Sequence, residues 1–175
     1  MNQASEYAIL STAWGWIGLA GTKHGLRRTT LPQASEAEAR LILEELTASA
    51  VESPDAFKEL TARLRAYFSG IRTDFPDRLD LSTATSFQRR VWEATRLIPY
   101  GETSSYAWVA RRLGKPGAAR AVGQALHRNP FPIIIPCHRV LASDGGLGGF
   151  GSGLDTKRRL LKLESAATRL SPNQG

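Results

Sequence analysis

Between Tyr7 and Leu31, apolar residues alternate with small and polar ones, and turn formers interrupt them at Thr22-Lys23-His24-Gly25. That rhythm predicts strands joined by hairpins, with Gly25 supplying the positive φ of a tight turn. The period then lengthens. Ser35 and Glu38 are spaced as a capping box, which predicts a helix to about Ala50 with Leu41, Ile42 and Leu46 inward. Ser53-Pro54-Asp55 opens a second helix, with Leu60, Leu64, Tyr67 and Phe68 on one face and Gly70 at its end. Residues 71–84 contain Asp and Pro, lack a helical period and read as a linker.

Thr85 and Gln88 repeat the capping-box spacing ahead of Phe87, Val91 and Ile98, and Pro99-Tyr100-Gly101 stops that helix. Two short helical patterns follow, Ser104–Leu113 and Ala118–Arg128, separated by Gly114-Lys115-Pro116-Gly117. Short helices around a glycine-containing turn predict a helix-turn-helix. Beyond Asn129-Pro130, the run Ile133-Ile134-Ile135 predicts a short strand, and a glycine-rich loop spans residues 145–153. Leu154, Leu160, Leu161 and Leu163 mark a basic closing helix. The patterns divide the chain into 1–82, 83–168 and a tail, 169–175.

Apolar residues make up 42% of the 175, enough for a packed core. The start of the chain has no basic-then-apolar leader, and stretches such as Trp14–Ala20 are too short to span a bilayer. One cysteine fits a reducing cytoplasm. The net charge of +7 is uneven: residues 1–84 carry 9 Lys/Arg against 11 Asp/Glu, and residues 85–175 carry 14 against 5. A second half this basic points to a polyanion such as nucleic acid.

The one thiol, Cys137, ends the run Ile133-Ile134-Ile135-Pro136 and precedes His138-Arg139-Val140. It cannot form an internal disulfide or a multi-cysteine zinc site. It is a nucleophile or an inert buried thiol.

Pro136-Cys137-His138-Arg139-Val140, with Asn129-Pro130 and Arg120-Ala121-Val122-Gly123 upstream, resembles the O6-alkylguanine-DNA alkyltransferases. The likeness is strong from Phe87 to Glu164 and includes Tyr100-Gly101-Glu102 and Ser105-Tyr106; before residue 85 it is general. The resemblance implies an α/β protein, with an RNase H-like N-terminal domain and a C-terminal winged-helix domain. It implies direct-reversal DNA repair, in which an alkyl group on guanine O6 moves to Cys137 after the base is flipped out. No second turnover follows. O4-alkylthymine stays open as a further substrate.

The resemblance also assigns roles. Cys137, His138 and Glu164 form a relay through a bridging water, Glu164 lying 27 residues past the thiol. A thiol is only a few per cent ionised near neutrality, so the site is expected to favour the anion. Tyr106 donates to guanine N3, and Asn129 ties the helix-turn-helix to the cysteine segment. Arg120 fills the stack left by the extruded base. Ala118, Ala119, Ala121 and Gly123 let a helix enter a narrow minor groove. Read from the residues alone, Arg128, His127 and Lys157 are either phosphate contacts or solvated surface charges. Val140, Leu126, Phe150, Gly151 and Ser152 belong to the base pocket; Phe150 and Gly151 depart from some members, which carry Tyr and Ser there. No cofactor motif is present, and no zinc site is expected because the first half lacks the cysteines some members use. The implied partner is double-stranded DNA, bound by a monomer with clustering along DNA left open. The rival readings are a winged-helix regulator, a non-catalytic lesion sensor, against which Cys137 argues, and a cysteine hydrolase.

Overall fold

A computed structural model describes residues 3–148 and 153–170. The chain separates into two compact units, one of residues 1–83 with 130–132, the other of residues 84–129 with 133–175.

In the first unit, strands β1 (Glu6–Thr12), β2 (Gly15–Thr22) and β3 (Gly25–Thr29) form an antiparallel meander. A two-residue strand β4 (Val51–Glu52) adds in parallel to β1, giving the order β3-β2-β1-β4. Ile17, Leu19 and Ala20 of β2 are all buried, so both faces of this central strand are covered. Helix α1 (Glu36–Thr47) approaches closest at Gly18, where an added Cβ would lie 2.6 Å from Leu43 Cδ1. Only glycine leaves that space. After a 3-10 turn at Pro54–Phe57, helix α2 (Lys58–Phe68) buries Leu60, Leu64, Tyr67 and Phe68, the face expected from the sequence.

The phase of α1 differs from expectation. Ser35 caps it by accepting from Glu38 N at 3.1 Å, yet Ala39 and Leu43 are buried while Leu41 is 67% exposed. The Leu41-Ile42-Leu43 run offers overlapping apolar stripes, and close approach at Gly18 selects the one through Ala39 and Leu43. The segment after α2 is also tied down. Leu26 N donates to Arg78 O at 2.9 Å, Asp80 N to Leu26 O at 2.7 Å, and Arg63 pairs with Asp77.

In the second unit, α3 (Ser86–Thr95) opens with the full capping box between Thr85 and Gln88. Strand β5 (Ser104–Ser105) leads into α4 (Tyr106–Arg112), and Gly114 at φ 71° turns the chain toward α5 (Ala119–His127). Trp92 Nε1 donates to Ala125 O at 2.9 Å, joining α3 to α5. Strand β6 (Val140–Leu141) pairs with β5, and α6 (Leu154–Leu170) completes the unit. A sheet-bearing first part and a helical second part are the mixed α/β organisation expected.

Ile133–Ile135 is not a strand. It is a turn, with Ile133 buried and held at φ 75°, the only non-glycine residue of positive φ among those described. Prolines at 130, 132 and 136 fix φ and remove ladder donors, so this apolar run cannot pair along its length. A β-branched residue in this region costs roughly 1–3 kcal/mol, which the surrounding packing must offset.

Replacing Thr85 with Ala removes one half of the α3 capping box and is expected to cost about 1 kcal/mol. A chemical-denaturation midpoint equal to that of the wild type would contradict it.

Candidate active site

The chain turns sharply at the thiol. Cys137–Arg139 form a single 3-10 turn, in which Cys137 N donates to Ile135 O at 2.8 Å and Arg139 N to Pro136 O at 2.9 Å. Successive side chains diverge by about 120° in such a turn, so Cys137 and His138 face different surroundings. Cys137 is partly exposed, whereas His138 is fully buried. Asn129 donates through Nδ2 to Ile135 O at 3.0 Å and to Cys137 Sγ at 3.4 Å. One amide thus braces both the segment and the sulfur, the tie expected of Asn129 from the sequence.

Glu164, on α6, reaches into this turn. Its Oε2 lies 2.6 Å from His138 Nε2 and accepts from Arg139 Nη2 at 3.1 Å. Its Oε1 accepts from Arg139 Nε at 2.7 Å and from Gly101 N at 3.3 Å. Arg139 also donates through Nη1 to Ile98 O at 2.8 Å. Glu164 is 1% exposed, so four donors replace the water a carboxylate would otherwise need. The contribution of the Gly101 amide was not legible from motif spacing, where Pro99-Tyr100-Gly101 reads as a helix stop.

Burial alone would raise the Glu164 pKa, but hydrogen bonds from His138 and Arg139, with the Arg139 charge, hold it far below the usual carboxylate range. Burial lowers the His138 pKa, against the pull of Glu164. A neutral imidazole that donates from Nε2 to Glu164 keeps its lone pair on Nδ1. Burial pushes the Cys137 thiol up, and Asn129 and the Lys157 charge only partly counter it. At rest the site therefore disfavours the thiolate, contrary to the expectation that it would favour the anion.

Tyr106 begins α4 and sits half-buried, with the Lys157 ammonium 5.9 Å from its ring centroid. Burial raises its pKa, and an ionised Cys137 would raise it further, so it stays a proton donor. Gly148 abuts it: an added Cβ would lie 2.8 Å from the Tyr106 hydroxyl.

Lys157 corrects an expectation. It is fully buried, with Nζ donating to Val140 O at 2.7 Å and to Leu147 O, so it is not placed as a surface phosphate contact. Its position one turn into α6 reads from sequence like that of any exposed basic residue.

Arg120, Ala121, His127 and Arg128 are exposed on α5, while Ala118 and Ala119 at its start are half-buried. Gly123 lies beside the Tyr106 ring, an added Cβ there falling 3.7 Å from Cε1. Val140 and Leu126 are buried; Phe150, Gly151 and Ser152 lie outside the described residues.

Residues 86–166 match the family described as 6-O-methylguanine DNA methyltransferase, DNA binding domain. A methylated-DNA–protein-cysteine methyltransferase of Methanosarcina acetivorans is 42% identical over 160 residues, covering 91% of this chain and 98% of that protein. One of the same name from Mycolicibacterium paratuberculosis is 53% identical over 113 residues, 65% of this chain and 68% of its own. Among solved structures, Mycobacterium tuberculosis OGT in complex with DNA has a TM-score of 0.78 at 42% identity, covering 93% of this chain and 94% of that one. The O6-methylguanine-DNA methyltransferase of Pyrococcus kodakaraensis has a TM-score of 0.72 at 25% identity, covering 90% and 98%.

The depressed pKa values set an acid limit on stability. A group held below its unfolded value contributes fully above that value and loses its contribution as pH falls toward the folded one. The melting temperature should fall as pH drops below 6.5, where unfolded His138 gains a proton, and again below 4.5, where unfolded Glu164 does. His138→Gln should melt lower at neutral pH and lose the first of these slopes; a melting profile parallel to wild type between pH 5 and 7 would refute the assignment.

Proposed function

Because this chain belongs to the family of methylated-DNA–protein-cysteine methyltransferases and is a direct-reversal DNA-repair enzyme, we propose that Cys137 is its alkyl acceptor. The observation that carries this reading is the chain's single cysteine, on the same short turn as a histidine that is paired with the buried Glu164. In the proposed reaction the thiol proton passes through a bridging water to His138 Nδ1, and Glu164 stabilises the imidazolium. The sulfur anion attacks the O-bound alkyl carbon. The carbon–oxygen bond breaks, its electron pair goes to the guanine, and the Tyr106 hydroxyl hydrogen-bonds N3 as that charge develops. The guanine anion then takes a proton at N1 from water and the imidazolium returns its proton to water, leaving unmodified guanine and a thioether on Cys137.

A resting thiol rather than thiolate suits this sequence, because ionisation then waits for a substrate to occupy the site. With no route from thioether back to thiol, each molecule reacts once. The need for a reduced sulfur supports a cytoplasmic location.

The proposed lesion is O6-alkylguanine in duplex DNA, reached from the minor groove by α5 and flipped into the site. Small residues Ala118, Ala119, Ala121 and Gly123 suit a close approach, and exposed Arg120 is suited to fill the vacated stack. Exposed Arg128 suits a phosphate contact; buried Lys157 does not. A monomer suffices for this chemistry, and the basic balance of residues 85–175 supports the polyanionic partner.

Mixed with a duplex containing labelled O6-methylguanine, wild-type protein should gain one methyl per chain by mass spectrometry, and Cys137→Ser none. Repeated turnover, or label on the serine variant, would overturn the proposal. Arg120→Ala should slow transfer from duplex DNA about tenfold or more, since unstacking a base costs a few kcal/mol, while leaving reaction with the free alkylated base near wild type. Equal slowing on both substrates would remove the stacking role.

A further inference from the structure

His138 and Arg139 both bind the same buried carboxylate, and that sharing has a chemical consequence. A buried Glu164 with only His138 for company could settle its charge in two ways. It could take a proton itself, and stop accepting from Nε2. Alternatively the pair could rest as carboxylate and imidazolium, and an imidazolium has no lone pair with which to receive the thiol proton. Either outcome disables the relay.

Arg139 supplies the missing charge in a fixed geometry. Its Nε and Nη2 contact the two oxygens of Glu164 at 2.7 and 3.1 Å, a bidentate grip, while Nη1 is anchored on Ile98 O at 2.8 Å. Arg139 is 7% exposed, so its charge acts inside the site rather than in water. The other charged group bearing on the imidazole is Lys157 from α6, which is directed to Val140 O and Leu147 O rather than to Glu164.

We propose that Arg139 is a positioning residue for alkyl transfer, fixing Glu164 as a carboxylate and balancing its charge so that His138 rests neutral with Nδ1 ready for the thiol proton. This rests on Cys137 as the acceptor.

The test is the single-turnover rate of methyl transfer from an O6-methylguanine duplex, measured from pH 5 to 9 on the full-length protein. In Arg139→Met the fall in rate on the acid side should move up by about one pH unit, the size expected for removing one close charge. Arg139→Lys, which keeps the charge and loses the grip, should be slower with its acid limb near that of wild type. Adding Arg139→Met to Glu164→Gln should shift the acid limb less than Arg139→Met does alone, because only the direct repulsion between guanidinium and imidazolium is then removed; an equal shift in both backgrounds would overturn the balancing of Glu164. A lower rate with an unmoved acid limb in Arg139→Met would make Arg139 merely structural and overturn the proposal. Should that variant fail to fold, ring-nitrogen NMR of wild type decides: His138 protonated on Nε2 alone at pH 7 upholds the proposal, and an imidazolium there overturns it. Failure of wild type to acquire methyl on Cys137 would instead strike the acceptor assignment, which the NMR measurement does not depend on.

Discussion

One carboxylate holds the catalytic unit together. Glu164 accepts from His138 and Arg139 on the cysteine turn and from Gly101 in the segment after α3. A charge taken fully out of water is tolerable only with such company, and removing one partner of a buried pair costs roughly 3–5 kcal/mol. The position of Cys137 is therefore coupled to the fold. The cysteine turn cannot move without uncoupling α6 and the Gly101 segment, and those elements cannot shift without disturbing the imidazole.

The same burial that makes the carboxylate demanding makes the sulfur quiet. Desolvation acts against every charged form in the site, raising Cys137 and Tyr106 and lowering His138 and Lys157. Only Glu164, with its donors, escapes. In the proposed alkyl transfer Cys137 would start as thiol, His138 as neutral imidazole and Tyr106 as phenol, each in the form the reaction consumes first. On that proposal, charge separates only as the reaction proceeds.

What the sequence disclosed was whatever depends on near neighbours. The Thr85–Gln88 and Ser35–Glu38 pairs announced helix starts because a cap is made within four residues. The apolar face of α2 followed from its period, and the Pro-Cys-His-Arg-Val run carried the family. Features settled by distant contacts were hidden. Leu41 faces solvent because the space beside Gly18 admits Leu43 instead. Lys157 is buried because the Val140 and Leu147 carbonyls happen to meet over it. Ile133 leaves the extended conformation because flanking prolines deny it a ladder, although three isoleucines in a row have strong strand preference. The raised thiol pKa was hidden for the same reason: it is a property of the enclosure, not of the motif.

A lone thiol, with no second cysteine in the chain, also defines how this protein ages. Peroxide that reaches Cys137 yields a sulfenic acid, and no resolving cysteine stands by to trap it as a disulfide. Rescue then falls to small thiols outside the protein, and further oxidation is irreversible. Keeping the group as thiol, the less oxidisable form, is a brake on that loss, so the enclosure that slows the nucleophile also preserves its shelf life.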